Sequence, residues 1–266
     1  MLERSLAGLL GMLFLTTPAF AQATADQATL VFTVGFGYTG STDLWSVEDQ
    51  PILRPAPGVG SDSISIDRRV GGSLGVLFGG IYFPKDNLGL AAEAFFLGIG
   101  VQDQCHVSSE NPTQRIIDLC EDIDGHEKSS SAVLFTVGPV FRAWGHNRIS
   151  PYARVQLGFL FSNLSTIRTD GFVPDSMGAG LVPVYDDEKS TRITPGFVFG
   201  AGATAAVGKG YQLRMEVRDN YVGLSTVAGP TIAGDLHPEV ETEYHHLWSV
   251  LIGFDVVLEK KRGRRY

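Results

Sequence analysis

Few residues of this chain could do chemistry, and most of those fall on alternate positions. His245, His246 and Ser249 lie within five residues of one another, and a His–Ser pair is the minimum for nucleophilic hydrolysis. On a strand, residues three apart point to opposite faces, which separates His246 from Ser249. The histidines are therefore expected to be rim residues, and the chain is not expected to be an enzyme. Asp118, Glu121, Asp122, Asp124, Gly125 and Glu127 form an acidic cluster carrying the hard oxygens that calcium prefers. Their spacing departs from the EF-hand pattern, so they read as a solvated, charged loop, and neither metal nor cofactor is expected. The two cysteines, Cys105 and Cys120, show no Cys-x-x-Cys spacing, and two thiols alone make a poor zinc site. In an oxidising compartment they are expected to form a disulfide, which in the chain-entropy picture stabilises by about 3 kcal/mol.

The largest chemically active set is charged. Arg142, Arg154, Arg214 and Arg218 alternate with bulky apolar neighbours, as do Glu93, Glu216 and Asp255. If the apolar neighbours face lipid, these charges face inward. A lone buried charge costs several kcal/mol, so they must pair. If a tight turn at 208–210 pairs Val207 with Tyr211, Arg214 lies opposite Thr204 and Glu216 opposite Gly202; the small partners leave room for long side chains. The reading is an ion-pair network inside a lumen. Its leading role is to stabilise and plug that lumen, and the functional alternative is a narrow gated pore. An interior ringed by eight strands is only just wide enough for its own side chains.

The elements that must hold these charges are strands. From Trp248 to Leu258 every even position is bulky and apolar, while the odd positions include Ser249, Gly253 and Asp255. Period-two alternation is strand character. The second face is too rich in glycine for a water-facing exterior but suits a narrow lumen, which indicates a transmembrane barrel with lipid outside. Eight segments carry this pattern: 29–38, 70–83, 88–101, 131–144, 151–164, 191–207, 211–221 and 243–258. Their connections alternate long and short, as an up-and-down antiparallel barrel with four long extracellular loops requires. Tyr82, Trp144, Tyr152 and Tyr211 fall near the short turns, and Tyr38, Tyr221 and Trp248 near the other rim, where aromatic girdles belong. Pro139 and Pro195 lie inside predicted strands; each removes a ladder donor, so a bulge is expected at each. Segment 88–101 is bulky on both faces, and its register rests on Glu93 pointing inward.

Export is expected from the N-terminus. One basic residue, Arg4, precedes an apolar core at 6–15, too short to span a bilayer, and Pro18-Ala19-Phe20-Ala21 offers a cleavage site after Ala21. The expected organisation is a signal peptide at 1–21, a barrel at 22–258 and a basic periplasmic tail at 259–266 carrying Lys260, Lys261, Arg262, Arg264 and Arg265. The 32 glycines suit strands and turns. A net charge of -8 argues against a nucleic-acid partner.

Two stretches carry a resemblance. The alternating Leu213-Arg214-Met215-Glu216-Val217-Arg218-Asp219-Asn220-Tyr221 looks like the penultimate strand of the OmpA/opacity-type family of small outer-membrane barrels. The closing Gly253-x-x-Val256-x-Leu258 is similar to that family's carboxy-terminal assembly signal, although it ends on leucine rather than on an aromatic residue. The resemblance implies the outer membrane of a diderm bacterium, periplasmic termini, surrounding outer-membrane lipid and insertion by the barrel-assembly machinery. Four long loops on a rigid barrel are where recognition usually resides, so the expected function is a non-enzymatic surface protein serving membrane integrity, adhesion or surface recognition. The alternatives are a narrow small-solute pore and, behind it, a lipid-modifying enzyme. No peptidoglycan-binding segment follows, so the anchoring role of OmpA is not carried over.

Overall fold

The computed structural model describes residues 28–54, 60–124, 127–145, 147–162, 167–174, 180–187 and 192–259. Twelve strands and one helix follow in chain order: β1 (Thr29–Thr39), β2 (Thr42–Leu53), β3 (Ser61–Val70), β4 (Ser73–Phe83), β5 (Leu88–Val107), α1 (Gln114–Asp124), β6 (Glu127–Arg142), β7 (Ile149–Ser162), β8 (Ile167–Val173), β9 (Gly180–Asp187), β10 (Arg192–Gly208), β11 (Tyr211–Val227) and β12 (Val240–Glu259). Eight of them, β1, β4, β5, β6, β7, β10, β11 and β12, close an antiparallel ring. Closure is made by β1 against β12, from Thr29 opposite Glu259 to Thr39 opposite Ser249. The expected signal segment lies outside the described residues, as does the tail beyond Glu259.

The alternation sorts side chains by solvent. On β1, Phe32, Val34, Phe36 and Tyr38 are exposed while Thr33 is buried; on β12, Trp248, Val250, Ile252 and Phe254 are exposed while Ser249 and Asp255 are buried. An outward belt of large apolar side chains with polar groups buried inside is a membrane barrel, since lipid takes the place of water as the outer solvent. One aromatic departs from its expected place. Tyr152, assigned to the girdle, shares the parity of Arg154 and is buried in the lumen at 7% exposure.

The expected bulges at the prolines do not form. Pro139 sits opposite Leu90 on β5 in unbroken register. On its other side the ladder to β7 skips Gly138 and Pro139 but resumes unshifted at Val140 opposite Arg154. Pro195 lies opposite Phe159, and the ladder to β11 begins one residue later at Gly196, so its missing donor removes nothing on that side. The one irregularity between β10 and β11 is elsewhere. Gly208, not Val207, pairs with Tyr211, with Val207 bulged out; Gly210 adopts a φ of 79° to close the turn. Beyond that bulge the register runs Thr204 to Arg214 and Gly202 to Glu216.

Three of the four long connections carry regular structure among the described residues, and the fourth, 228–239, is irregular. The stretch after β1 forms β2 and β3, which pair with each other and extend the wall upward, β3 lying against the far half of β5. Residues 105–124 contain α1 in place of the expected solvated loop. Its Ile116, Leu119, Cys120 and Ile123 are buried along one stripe, as an amphipathic helix requires. Strands β8 and β9 form a separate hairpin. A Cβ at Gly171 of β8 would stand 2.6 Å from Leu119 of α1, which shows how closely helix and hairpin pack. The disulfide Cys105–Cys120 staples α1 to the end of β5. Trp45, Ile64, Ile66, Leu119, Ile167 and Tyr185 meet in one apolar core that continues down into the barrel. The long-loop end is thus a packed cap.

Candidate functional site

Midway down the lumen, β5, β7, β11 and β12 each contribute charged side chains. Inward parity puts Glu93 on β5, Arg154 on β7, Arg214, Glu216 and Arg218 on β11, and Asp255 on β12; all are at most 5% exposed. Arg154 is the hub. Its guanidinium pairs with Glu93 on one side and Glu216 on the other, with Nε donating to Glu216 Oε1 at 2.9 Å. Arg218 bridges the same two carboxylates, with Nε 2.9 Å from Glu216 and Nη2 3.2 Å from Glu93. Arg214 binds Asp255 at 3.0 Å, and its Nη1 stands 3.9 Å from both glutamates. Three cations thus meet three anions, which is how a dry interior tolerates ions.

Small residues make the room. A Cβ on Gly79 would fall 2.8 Å from Glu93 Cγ, one on Gly200 would fall 2.7 Å from Glu216 Oε1, and one on Gly202 would fall 2.9 Å from the Tyr152 hydroxyl. Aromatic rings line the set: Arg218 lies 5.3 Å from the centre of the Phe95 ring and Arg214 lies 5.1 Å from that of Tyr152, each in range for a cation–π contact. The space remaining beneath Arg214, between Tyr152, Asp255 and the apolar layer of Val31, Ile81 and Val140, is about 10 Å³, at the lower limit for one water.

Of the charges singled out from sequence, six meet and one does not. Arg142 lies nearer the short turns, its guanidinium 4.1 Å from the centre of the Phe83 ring, and donates to the carbonyl of Asp86 at 3.0 and 3.2 Å. Two partners went unassigned. Tyr152 donates to Glu216 Oε2 at 2.6 Å, and Thr33 donates to Asp255 at 2.8 Å. Both carry the inward parity of their strands, the signal that could have found them.

A second polar set lies in the cap. Arg68 holds Asp103 through two guanidinium nitrogens, donates to Thr169 at 2.8 Å, and stands 4.9 Å from the centre of the Trp45 ring. Gln50 accepts from the Tyr185 hydroxyl at 2.8 Å and the Thr231 amide at 2.9 Å, tying three connections together. Arg54 and Thr113 both reach Asp62, at 2.8 and 2.7 Å. None of this was legible while 39–69 read as a loop.

His246 and Ser249 are not brought together. His246 is exposed, with Nδ1 2.7 Å from Asp219. Ser249 is buried in the lumen beside Thr39 and the Asn220 amide. The acids of α1 bond to protein: Asp124 accepts from the Cys105 amide and Asp122 from the Phe172 amide. Among the described residues no three His, Cys, Asp or Glu side chains are grouped to hold a metal.

A closed ring of eight strands, apolar outside and ion-paired within, defines a small transmembrane barrel. The chain belongs to the outer membrane protein beta-barrel domain family, whose sequence profile matches residues 7–237. Family membership indicates the outer membrane of a Gram-negative bacterium. No curated protein matches it by sequence. Among solved structures it is similar to the outer membrane protein OprG from Pseudomonas aeruginosa, at 14% identity and a TM-score of 0.49, covering 88% of this chain and 98% of that one. It is also similar to Ail, the attachment invasion locus protein of Yersinia pestis, at 10% identity and 0.39, covering 87% and 99%. A third is Neisserial surface protein A, at 10% identity and 0.40, covering 88% and 99%.

Proposed function

We propose that this protein is a closed, non-enzymatic barrel that carries an ordered recognition surface on the cell exterior. In this reading both termini are periplasmic, the short turns face the periplasm and the cap faces outward. The closing strand, Gly253 to Leu258, is the segment that the barrel-assembly machinery would engage, and outer-membrane lipid covers the apolar belt. The observation that carries the reading is Arg154, whose side chain is wholly buried between Glu93 and Glu216 across the lumen. A solute would have to displace these ions from one another in a low-dielectric interior, at several kcal/mol each. Above them the cap is itself a packed core. Loops positioned on a rigid scaffold are where recognition commonly resides, and here the disulfide, α1 and two hairpins make that surface a fixed shape.

The test is electrical. Purified protein reconstituted into planar bilayers should give no unitary conductance, and Glu216→Ala should leave it closed as long as Glu93 still pairs with Arg154. Stable channels from the unaltered protein, abolished by adding bulk at Gly79 or Gly200, would show that the lumen conducts and overturn the closed reading.

A further inference from the structure

The barrel wall opens near its long-loop rim, between β2 and β12. Strand β1 pairs with β12 as far as Thr39 opposite Ser249, and one more bond joins the Gly40 amide to the Trp248 carbonyl at 2.9 Å. Above that point β2 pairs with β3 alone, while β12 runs on to Val240 paired with β11 alone. The edge of β12 that β1 covers lower down is therefore bare here. Backbone groups on a strand alternate between its two edges. Trp248 turns its carbonyl to the β1 side, so His246, Tyr244 and Thr242 turn their N–H and C=O the same way. Among the described residues no backbone bond reaches them from that side, and all three residues are exposed.

The two edges of the opening are not equivalent. Edge strands are commonly blunted by bulges, prolines or charge, which keep stray strands from pairing. Strand β2 is blunted in its backbone: its register against β3 shifts twice, Pro51 lies within it, and Asp49 adopts a φ of 53°. Strand β12 pairs with β11 without a shift from Val240 to Val256 and contains no proline, so its bare edge is a regular hydrogen-bonding template. What it carries instead is charge of one sign. Glu241 and Glu243 share the parity of His245. Glu243 and His245 line a cleft of about 500 Å³ in the opening, with Asp43, Leu44 and Trp45 of β2 and Asp67 of β3 on its other walls. Arg68 is taken by Asp103 and Arg69 lies 3.4 Å from Asp43, whereas Glu241, Glu243 and Asp67 have no ion-pair partner among the described residues.

Any added strand would satisfy the bare amides and carbonyls; the charges choose which strand. Residues directly opposite across an antiparallel pair interact, opposite charges favourably and like charges unfavourably. A second copy of this chain would set its own Glu241 and Glu243 against these. The basic residues of the chain itself at 260–266 follow Glu259, which lies opposite Thr29 at the other end of the barrel. The occupant is therefore a segment of another protein, with Lys or Arg at the positions that oppose Glu241 and Glu243. The other face of this stretch carries Thr242 and Tyr244, which suit β-branched or aromatic partners. We propose that the free edge of β12 takes an extended basic peptide of a partner protein as an added antiparallel strand. The alternate Lys or Arg side chains of that strand reach into the cleft beside Glu243 and Asp67. The inference rests on the outward-facing cap of the proposed function and gives that surface the chemistry of its partner.

The test uses the full mature chain folded in zwitterionic detergent micelles. The probe is a short, end-capped, dye-labelled synthetic peptide that alternates Lys or Arg with Val or Thr, titrated by fluorescence anisotropy. Saturable binding is expected, weakening as salt rises, and the amide protons of Thr242, Tyr244 and His246 should gain protection from exchange in the complex. When the charges of the peptide oppose Glu241 and Glu243, the amides of its uncharged residues face β12. N-methylation of those residues keeps the charge but removes the donors, and should weaken binding at least about tenfold. Glu241→Gln with Glu243→Gln should weaken it about two- to tenfold. Thr242→Pro removes one edge donor on the side away from β11 and should cost about fivefold, while the protein keeps its compact, heat-modifiable gel mobility. No saturable binding, equal binding of the N-methylated peptide or of one with Glu in place of Lys and Arg, wild-type affinity in Thr242→Pro, or binding without protection at Thr242, Tyr244 and His246 would each overturn the proposal. A conducting barrel that still takes the peptide on this edge would sink the closed-lumen reading alone, and a silent barrel that leaves the edge bare would sink this one alone.

Discussion

Replacing Glu93 with alanine tests the lumen network where it is most concentrated. Glu93 pairs with Arg154, accepts from Arg218 at 3.2 Å, and lies 3.9 Å from Arg214. Its loss leaves three guanidinium groups facing Glu216 and Asp255 alone, one positive charge in excess within a layer that is at most a few per cent exposed. Breaking a buried pair by removing one partner costs about 3–5 kcal/mol, equivalent to a 10²- to 10³-fold shift toward the unfolded state or more. Glu93→Gln keeps the volume and an acceptor while losing the charge, so it should cost about 1.5–3 kcal/mol, the range for hydrogen bonds to charged groups. The double replacement Glu93→Ala with Arg154→Ala removes one charge of each sign and should cost clearly less than the sum of its parts. The assay is reversible urea unfolding in lipid vesicles, followed by tryptophan emission and by heat-modifiable gel mobility. A loss below about 1 kcal/mol for Glu93→Ala, or strict additivity in the double-mutant cycle, would refute the argument, because contacting partners must couple.

Three further outcomes follow from the same geometry. Removing the staple with Cys105→Ala and Cys120→Ala should free α1 from the end of β5 and make the cap sensitive to protease, losing about 3 kcal/mol of local stability, while the boiled and unboiled gel mobilities of the barrel stay as they are. Burial pushes the Asp62 carboxyl up, but the hydrogen bonds from Arg54 and Thr113 outweigh it and hold the group below its ordinary value. The stability from that clasp is therefore complete above the ordinary carboxylate range and is lost as pH falls through the lower folded value. Amide protection factors around 62 and 113, corrected for the intrinsic pH dependence of exchange, should fall on acidification, and Asp62→Asn should flatten that dependence. Adding bulk at Gly200 as valine would drive a side chain into Glu216 and Arg154 and should destabilise by about 1–3 kcal/mol through overpacking, read by the same urea titration.

The ring of strands was legible because lipid outside and side chains inside enforce a strict period of two, and each strand declares its own faces. The six ions that meet were legible for the same reason: they are charges at inward parity. Arg142 shares that parity yet lies beyond reach of the network, since height along the barrel depends on how each strand is staggered against its neighbours. The cap was illegible. Its strands β2 and β3 pack one face on apolar residues, but their other face is wet and their register shifts between Asp43 and Trp45 and again between Val47 and Gln50. Each shift breaks the alternation on which a sequence reading depends. The segment at 114–124 read as a solvated loop because four of its eleven residues are acidic, although Ile116, Leu119 and Ile123 hold one stripe.

The point where membrane contact ends can be located on the strands themselves, and it coincides with a break in register. From β3 to β4 the chain runs as one line against β5, interrupted at Gly71 and Gly72. Above the break Val70 pairs with Val101, and below it Gly75 pairs with Leu97, a slip of one residue. Such a slip turns the strand over: in β3 the even positions Ile64, Ile66 and Arg68 are buried, whereas in β4 it is the odd positions Leu77, Ile81 and Phe83. The outward face changes character at the same level. On β4 it holds Leu74, Phe78 and Tyr82, but on β3 it holds Ser63, Ser65, Asp67 and Arg69. Strand β5 keeps its parity and shows the same change, from Leu88, Leu90 and Phe96 to Gln102 and Gln104. On β12 the change falls after Trp248, at His246 and Tyr244. The cap is therefore made by the barrel's own strands continuing past the lipid, with β3 turned over so that its apolar face seals the end of the lumen. A gate would have to move strands that are hydrogen-bonded into the wall as well as part the ion pairs beneath them, which is why a fixed recognition surface fits this architecture better than a channel.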